Sequence, residues 1–207
     1  MAHRCCSESN LALIRRPNDG RVLADSHHFT AEAIIRTVRI QIESIVPASP
    51  AELWDWSTSV HGVHAEMRPI LKLAFPKGMT HIPRDGSGLG KPLGNCKFLL
   101  FGIVPVDLSR LTFVEVEPGR RFVEQSPLLS MKSWRHERVI EPAVGGTKVI
   151  DTLEFTPRFA TGLVKWFISK FFQHRHTVLE REFQERRSVT RSQQRPQRGY
   201  LRPREST

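Results

Sequence analysis

Apolar and polar residues alternate along residues 37–46 (TVRIQIESIV), the period of a half-buried strand. Pro47-Ala48-Ser49-Pro50 stops it, and Ser49 ahead of Pro50 and Glu52 reads as a helix N-cap with proline at the first helical position. The short helix AELWDWSTS carries Leu53, Trp54 and Trp56 inward. A second helical piece is predicted over residues 60–75, where Val63, Met67, Ile70 and Leu71 recur at helical spacing and Pro69 kinks or divides it. Residues 77–95, rich in Gly and Pro, read as an irregular crossing. Strand patterns follow: 96–106, a nearly continuous apolar run broken by Gly102 and Pro105, then 110–117 and 121–125 around the turn Glu117-Pro118-Gly119-Arg120, then a hairpin of 129–140 with 147–155. A long helix over about residues 161–186 closes the pattern, with Val164, Phe167, Ile168, Phe171, Val178 and Leu179 as one stripe.

Composition narrows the class. The 207 residues, 39% hydrophobic and 25% charged, suit one core and exclude collagen, a disulfide scaffold and a wholly disordered chain. Three cysteines, two of them adjacent (Cys5, Cys6), imply no disulfide framework, so a reducing, cytoplasmic setting is expected. No signal peptide is visible, and the longest apolar tract, 163–172, is interrupted by Lys165 and Lys170 and is too short to span a bilayer. The net charge of +10 is uneven, since seven arginines face two glutamates from Gln184 onward. The expected organisation is a disordered extension over 1–32, one folded domain over 33–186 and a basic disordered tail over 187–207. That tail is either a solvated extension or a weak electrostatic contact for nucleic acid or anionic membrane.

The order strand, two short helices, antiparallel meander, long terminal helix implies an α+β fold. Together with the stretches IVPASPAELWDW, LTFVEVEPGRRFVEQ, HERVIEPAVGGTKVIDTLEF and FFQHRHTVLEREF, it resembles the SRPBCC superfamily of START-like and polyketide cyclase/dehydrase-like proteins. The resemblance covers about residues 38–184. It implies the helix-grip fold, a curved antiparallel sheet wrapped around the C-terminal helix, with a hydrophobic cavity between them. Such pockets hold ~300–1,000 Å³. Left dry, even the smaller would cost about 7 kcal/mol, so a ligand or water is expected inside. The expected wall is Met67, Phe101, Phe113, Trp134, His136, Arg138, Asp151, Leu153, Phe155, Phe167, Phe171 and His174.

Candidate chemistry centres on the last hairpin. A reversal near Val144 and Gly145 sets Ile140 opposite Val149, Arg138 opposite Asp151, His136 opposite Leu153 and Trp134 opposite Phe155, all on one inward face. Arg138 and Asp151 then either orient a polar ligand group or satisfy each other. His136 is the acid/base candidate or a satisfied wall residue. Of the helical pair, His174 is expected near the cavity and His176 in solvent. Neither they, nor His61 and His64, nor His27 and His28 show a third ligand, so no metal and no cofactor are expected. Gly86-Ser87-Gly88-Leu89-Gly90-Lys91 lacks phosphate-loop spacing and reads as a connector or lid. The leading function is non-enzymatic binding or carriage of a lipid-like or aromatic molecule. The alternative is a cyclase/dehydrase with His136 as base, Arg138 steadying an enolate-like oxygen and Asp151 holding Arg138. A second alternative is electrostatic binding by the basic tail.

Overall fold

The alternation at the start of the domain forms β1 (Val38–Val46), whose side chains turn inward and outward in strict succession. The computed structural model describes residues 37–193. In α1 (Pro50–Thr58) the Ser49 hydroxyl accepts from the Glu52 N–H while the Glu52 carboxylate accepts from the Ser49 N–H, a reciprocal cap that starts the helix. Ser59 caps α2 (Val60–Met67) in turn, its hydroxyl accepting from Gly62 N–H at 2.9 Å. The helix expected to reach residue 75 ends there. Pro69 lacks the N–H that a helix interior needs, and the chain beyond it becomes β2 (Leu71–Ala74), paired antiparallel with residues 97–100.

The apolar run 96–106 is two strands, β3 (Gly94–Leu100) and β4 (Val104–Leu111), because Phe101 and Gly102 both take positive φ and reverse the chain. β5 (Phe113–Glu117), β6 (Arg121–Glu124), β7 (Met131–Ala143) and β8 (Gly146–Pro157) complete the strands. They form two antiparallel sheets, β1-β8-β7-β6-β5 and β2-β3-β4. The β7–β8 register is the one required by alternation: Trp134 faces Phe155, His136 faces Leu153, Arg138 faces Asp151 and Ile140 faces Val149. The final helix, α3 (Thr161–Gln193), packs across β1, β8 and α2. The fold is α+β with the helix-grip arrangement. α3 continues seven residues beyond Arg186, so residues 187–193, expected to begin the tail, are helical and exposed. The extension over 1–32 and the chain beyond 193 lie outside the described residues. Among the described residues, no helix is long and apolar enough to cross a membrane.

The β7–β8 turn meets the end of β1 so closely that a Cβ on Gly146 would stand 2.1 Å from the Val46 carbonyl oxygen. Both partners are backbone and neither can swing aside. Gly146→Ala is therefore expected to lower unfolding free energy by about 1–3 kcal/mol or more in urea denaturation. A change within about 0.5 kcal/mol would contradict this reading of the contact.

Candidate functional site: an apolar cavity beside a buried ion network

β7 is the middle strand of the five-stranded sheet, and its inward face carries Trp134, His136, Arg138 and Ile140. Arg138 is 1% exposed and all five of its N–H bonds are used. Nε and Nη2 donate to Asp151 at 2.8 and 2.7 Å, Nη1 and Nη2 donate to Glu66 at 3.0 Å each, and Nη1 also donates to Ser57 Oγ at 3.2 Å. Glu66, from α2, further accepts from Trp56 Nε1 at 3.1 Å and from Arg175 Nε and Nη2 at 3.1 and 2.8 Å. Asp151, from β8, further accepts from His136 Nε2 at 3.0 Å and His176 Nε2 at 3.1 Å. The other His176 nitrogen, Nδ1, bonds the Ser44 hydroxyl at 2.9 Å. The result is a chain of alternating charge, Arg175–Glu66–Arg138–Asp151–His136, joining two helices to two strands.

Charge state follows from these partners. Burial pushes the Asp151 carboxyl up, but the Arg138 charge and hydrogen bonds and the His136 ring outweigh it and hold it well below the ordinary carboxylate range. Burial likewise opposes ionisation of Glu66, and Arg138 and Arg175 overcome it to hold the group down. For His136, burial disfavours the imidazolium, yet the Asp151 charge and its hydrogen bond, with Glu124 beside the ring, raise it above 6.5. Glu124 Oε2 lies 3.7 Å from His136 Nδ1. Cys96 is buried, and burial together with Glu124 pushes its thiol to about 11, so it supplies no thiolate near neutrality.

Against this network lies an apolar cavity of about 430 Å³. Val63 and Met67 of α2, Leu73 of β2, Phe98 of β3, Leu111 of β4 and Phe167, Phe171 and Phe172 of α3 supply much of its wall. Its polar lining comes from Ser57, Asp107, Glu124, Ser130, His136 and Arg175. Val106, Leu163 and Trp166 line it while staying exposed, and so mark its rim. A dry void of that volume would cost about 10 kcal/mol as an upper figure, comparable with the whole net stability of a domain, ~5–15 kcal/mol.

Of the residues expected in the wall, Met67, Phe113, Trp134, His136, Phe167 and Phe171 line the cavity. Leu153 and Phe155 are fully buried behind that lining, with Phe155 against Trp134 at 5.9 Å between ring centroids. Arg138 and Asp151 also lie behind it, consumed by each other and by Glu66. Phe101 is 66% exposed, because the positive-φ turn that holds it points away from the core. The two helical histidines are exchanged relative to expectation. His174 is half-exposed and bonds the Arg68 carbonyl, while His176 is buried on Asp151. The buried stripe of α3 runs through Phe172, Leu179 and Phe183. His176 stands one turn beyond Phe172 and so belongs to it.

Sequence reasoning missed Ser44, Glu66, Glu124 and Arg175. Strand alternation already placed Ser44 inward, between Ile42 and Val46. Glu66 sits beside Met67 and three residues after Val63, within the inward face of α2, and Arg175 stands one turn beyond Phe171 on the stripe of α3. A charged residue inside an apolar stripe was the signal. Glu124 carried none that a strand terminus would not also carry.

An antiparallel sheet, a gripping C-terminal helix and a cavity between them make this a helix-grip protein, with the fold of the SRPBCC superfamily. The chain belongs to the family described as a domain of unknown function, DUF8410, whose model matches residues 44–183. No curated protein matches it. Among solved structures it is similar to the Zhui aromatase/cyclase from Streptomyces sp. R1128 (12% identity, TM-score 0.54, covering 73% of this chain and 96% of that one). It is also similar to the di-domain ARO/CYC StfQ from the steffimycin biosynthetic pathway (10% identity, TM-score 0.54, 74% of this chain and 53% of that one). A third likeness is Ara h 8.0201 (15% identity, TM-score 0.52, 72% and 99%). At such identities the likenesses establish the fold.

The network gives stability a pH dependence of opposite signs. Asp151 and Glu66 are held low when folded, so their contribution is present above the unfolded value near 4 and is lost as pH falls below it toward the folded ones. His136 is raised, so its contribution is complete below 6.5 and disappears as pH rises through the folded value. Thermal unfolding is expected to show its maximum between about pH 4.5 and 6.5. His136→Asn should flatten the alkaline limb and keep the acid one. An alkaline limb unchanged by that substitution would contradict the assignment.

Proposed function

We propose that the protein binds and carries a hydrophobic small molecule, lipid-like or aromatic, in the cavity between α3 and the sheets. The observation that carries this reading is the volume and lining of that space, about 430 Å³ walled chiefly by Leu, Val, Met and Phe side chains from α2, α3 and strands β2 to β7. Solved structures that share this fold include aromatase/cyclases, which supports an aromatic molecule as one of the two options. The second reading, a cyclase/dehydrase, draws on His136 and Glu124 facing the cavity side by side. The ring of His136 has Nε2 on Asp151 and is biased toward the imidazolium, so in that reading it serves as a proton donor and Glu124 takes the role of base.

Binding is read out with N-phenyl-1-naphthylamine, an uncharged apolar dye that fluoresces on leaving water. The full chain is expected to take up about one equivalent. Val63→Trp, which projects an indole from α2 into the cavity, should weaken uptake at least tenfold while the protein keeps its far-ultraviolet circular dichroism. No dye uptake by the unsubstituted protein, or uptake indifferent to Val63→Trp, would overturn the proposal.

A further inference from the structure

Arg175 is the network's unfinished end. Its side chain is 9% exposed and forms part of the cavity wall, with the guanidinium carbon 4.8 Å from the centre of the Phe172 ring. Nε and Nη2 are both committed to Glu66. Nη1 has no hydrogen-bond partner among the described residues, although Arg138, two side chains further along the same network, has every N–H used. Nη1 can be reached by water, and a ligand that expels water from this largely apolar space must offer that N–H an acceptor or leave it unpaired. The carboxylates of the cavity lining are already engaged: Glu124 Oε1 accepts from Ser126 at 2.6 Å and its Oε2 faces His136, while Asp107 accepts from the Leu129 N–H at 2.9 Å and from the Ser130 hydroxyl.

The charge balance decides what kind of acceptor fits. Arg138 and Arg175 supply two positive charges and His136 a third when protonated, against the four carboxylates Glu66, Asp151, Glu124 and Asp107 in the network and the cavity lining. The ring of His176 is held between Asp151 and Ser44, with Nε2 and Nδ1 each engaged in a hydrogen bond. An anionic ligand group would therefore meet a set of side chains that already holds more carboxylates than cations. Loss of the His136 proton removes one of those cations and disfavours an anion further. An uncharged oxygen meets Nη1 without that penalty.

We infer that the cavity selects an uncharged apolar molecule bearing a carbonyl oxygen, and that Arg175 Nη1 donates to that oxygen. This rests on the binding function proposed above and adds the polar half of the ligand. Arg175, rather than Arg138, is then the specificity residue, and Glu66 holds its plane by occupying the opposite edge.

The test is displacement of N-phenyl-1-naphthylamine from the full chain at pH 6. 2-Acetylnaphthalene and 2-dodecanone are compared with the carboxylates 2-naphthoate and dodecanoate and with the hydrocarbon 2-ethylnaphthalene. The ketones should compete at least about tenfold better than the matching carboxylates, and the aromatic and aliphatic pairs show which body the wall prefers. Arg175→Met should weaken the ketones about tenfold and leave 2-ethylnaphthalene within about twofold. Carboxylates that compete better than ketones would overturn the inference, as would an Arg175→Met protein that weakens ketone and hydrocarbon alike. Should that variant fail to fold, the ketone-to-carboxylate order in the unsubstituted protein decides. Dye uptake without a ketone preference overturns this inference and leaves the proposed function standing, whereas absence of dye uptake removes both.

Discussion

Five side chains of alternating sign, all withdrawn from solvent, are the constraint on which the rest of this molecule depends. Arg138 sits at the centre and the two carboxylates on either side come from α2 and β8, 72 and 13 residues away along the chain. Buried ion pairs of this kind seldom add net stability over apolar side chains of the same shape. Their effect is directional. Hydrophobic packing tolerates a helix that slides or rotates a little, but five N–H bonds on one guanidinium tolerate almost no displacement of their acceptors. The network thereby fixes where α2 and the Arg175–His176 turn of α3 stand over the hairpin.

From that fixed point the N-terminal half of α3 extends over the sheets, and its greasy character follows. Phe167, Phe171 and Phe172 look into the cavity, and Leu163 and Trp166 form its exposed edge. A helix held by apolar contacts alone would settle onto the sheet until the space closed, because interiors pack to near-crystalline density. Here the clamp at one end and β2-β3-β4 at the side keep the walls apart. The placing of the helices, the hollowness and the polar end of the cavity are thus three consequences of one arrangement, with Arg175 belonging to both clamp and wall.

Much of this could be read from the chain. The Ser49–Glu52 cap, the long terminal helix and the β7–β8 register follow from short-range rules, and the register alone places Arg138 against Asp151. What escaped depended on contacts between distant segments. The reversal at Phe101-Gly102 looks like continuous strand because both sides of it are apolar. Pro69 signals a helix break, but only pairing with β3 makes Leu71–Ala74 a strand. His174 and His176 are distinguished by a stripe that α3 widens once it packs against both β1 and α2. Glu66 and Arg175 read as ordinary helical charges until their partners, 109 residues apart, are brought together. The sequence therefore discloses the fold and half of the site, and the half it hides is the end built from Glu66 and Arg175.

The central claim is that an open apolar space persists beside a satisfied ion network. Xenon-pressurised crystals of the ligand-stripped protein test it most directly, since xenon enters apolar cavities large enough to hold it. Xenon is expected among Met67, Phe98, Leu111 and Phe171, with Arg138 still bridging Glu66 and Asp151. A space filled by repacked side chains, with no xenon between α3 and the sheets, would contradict it.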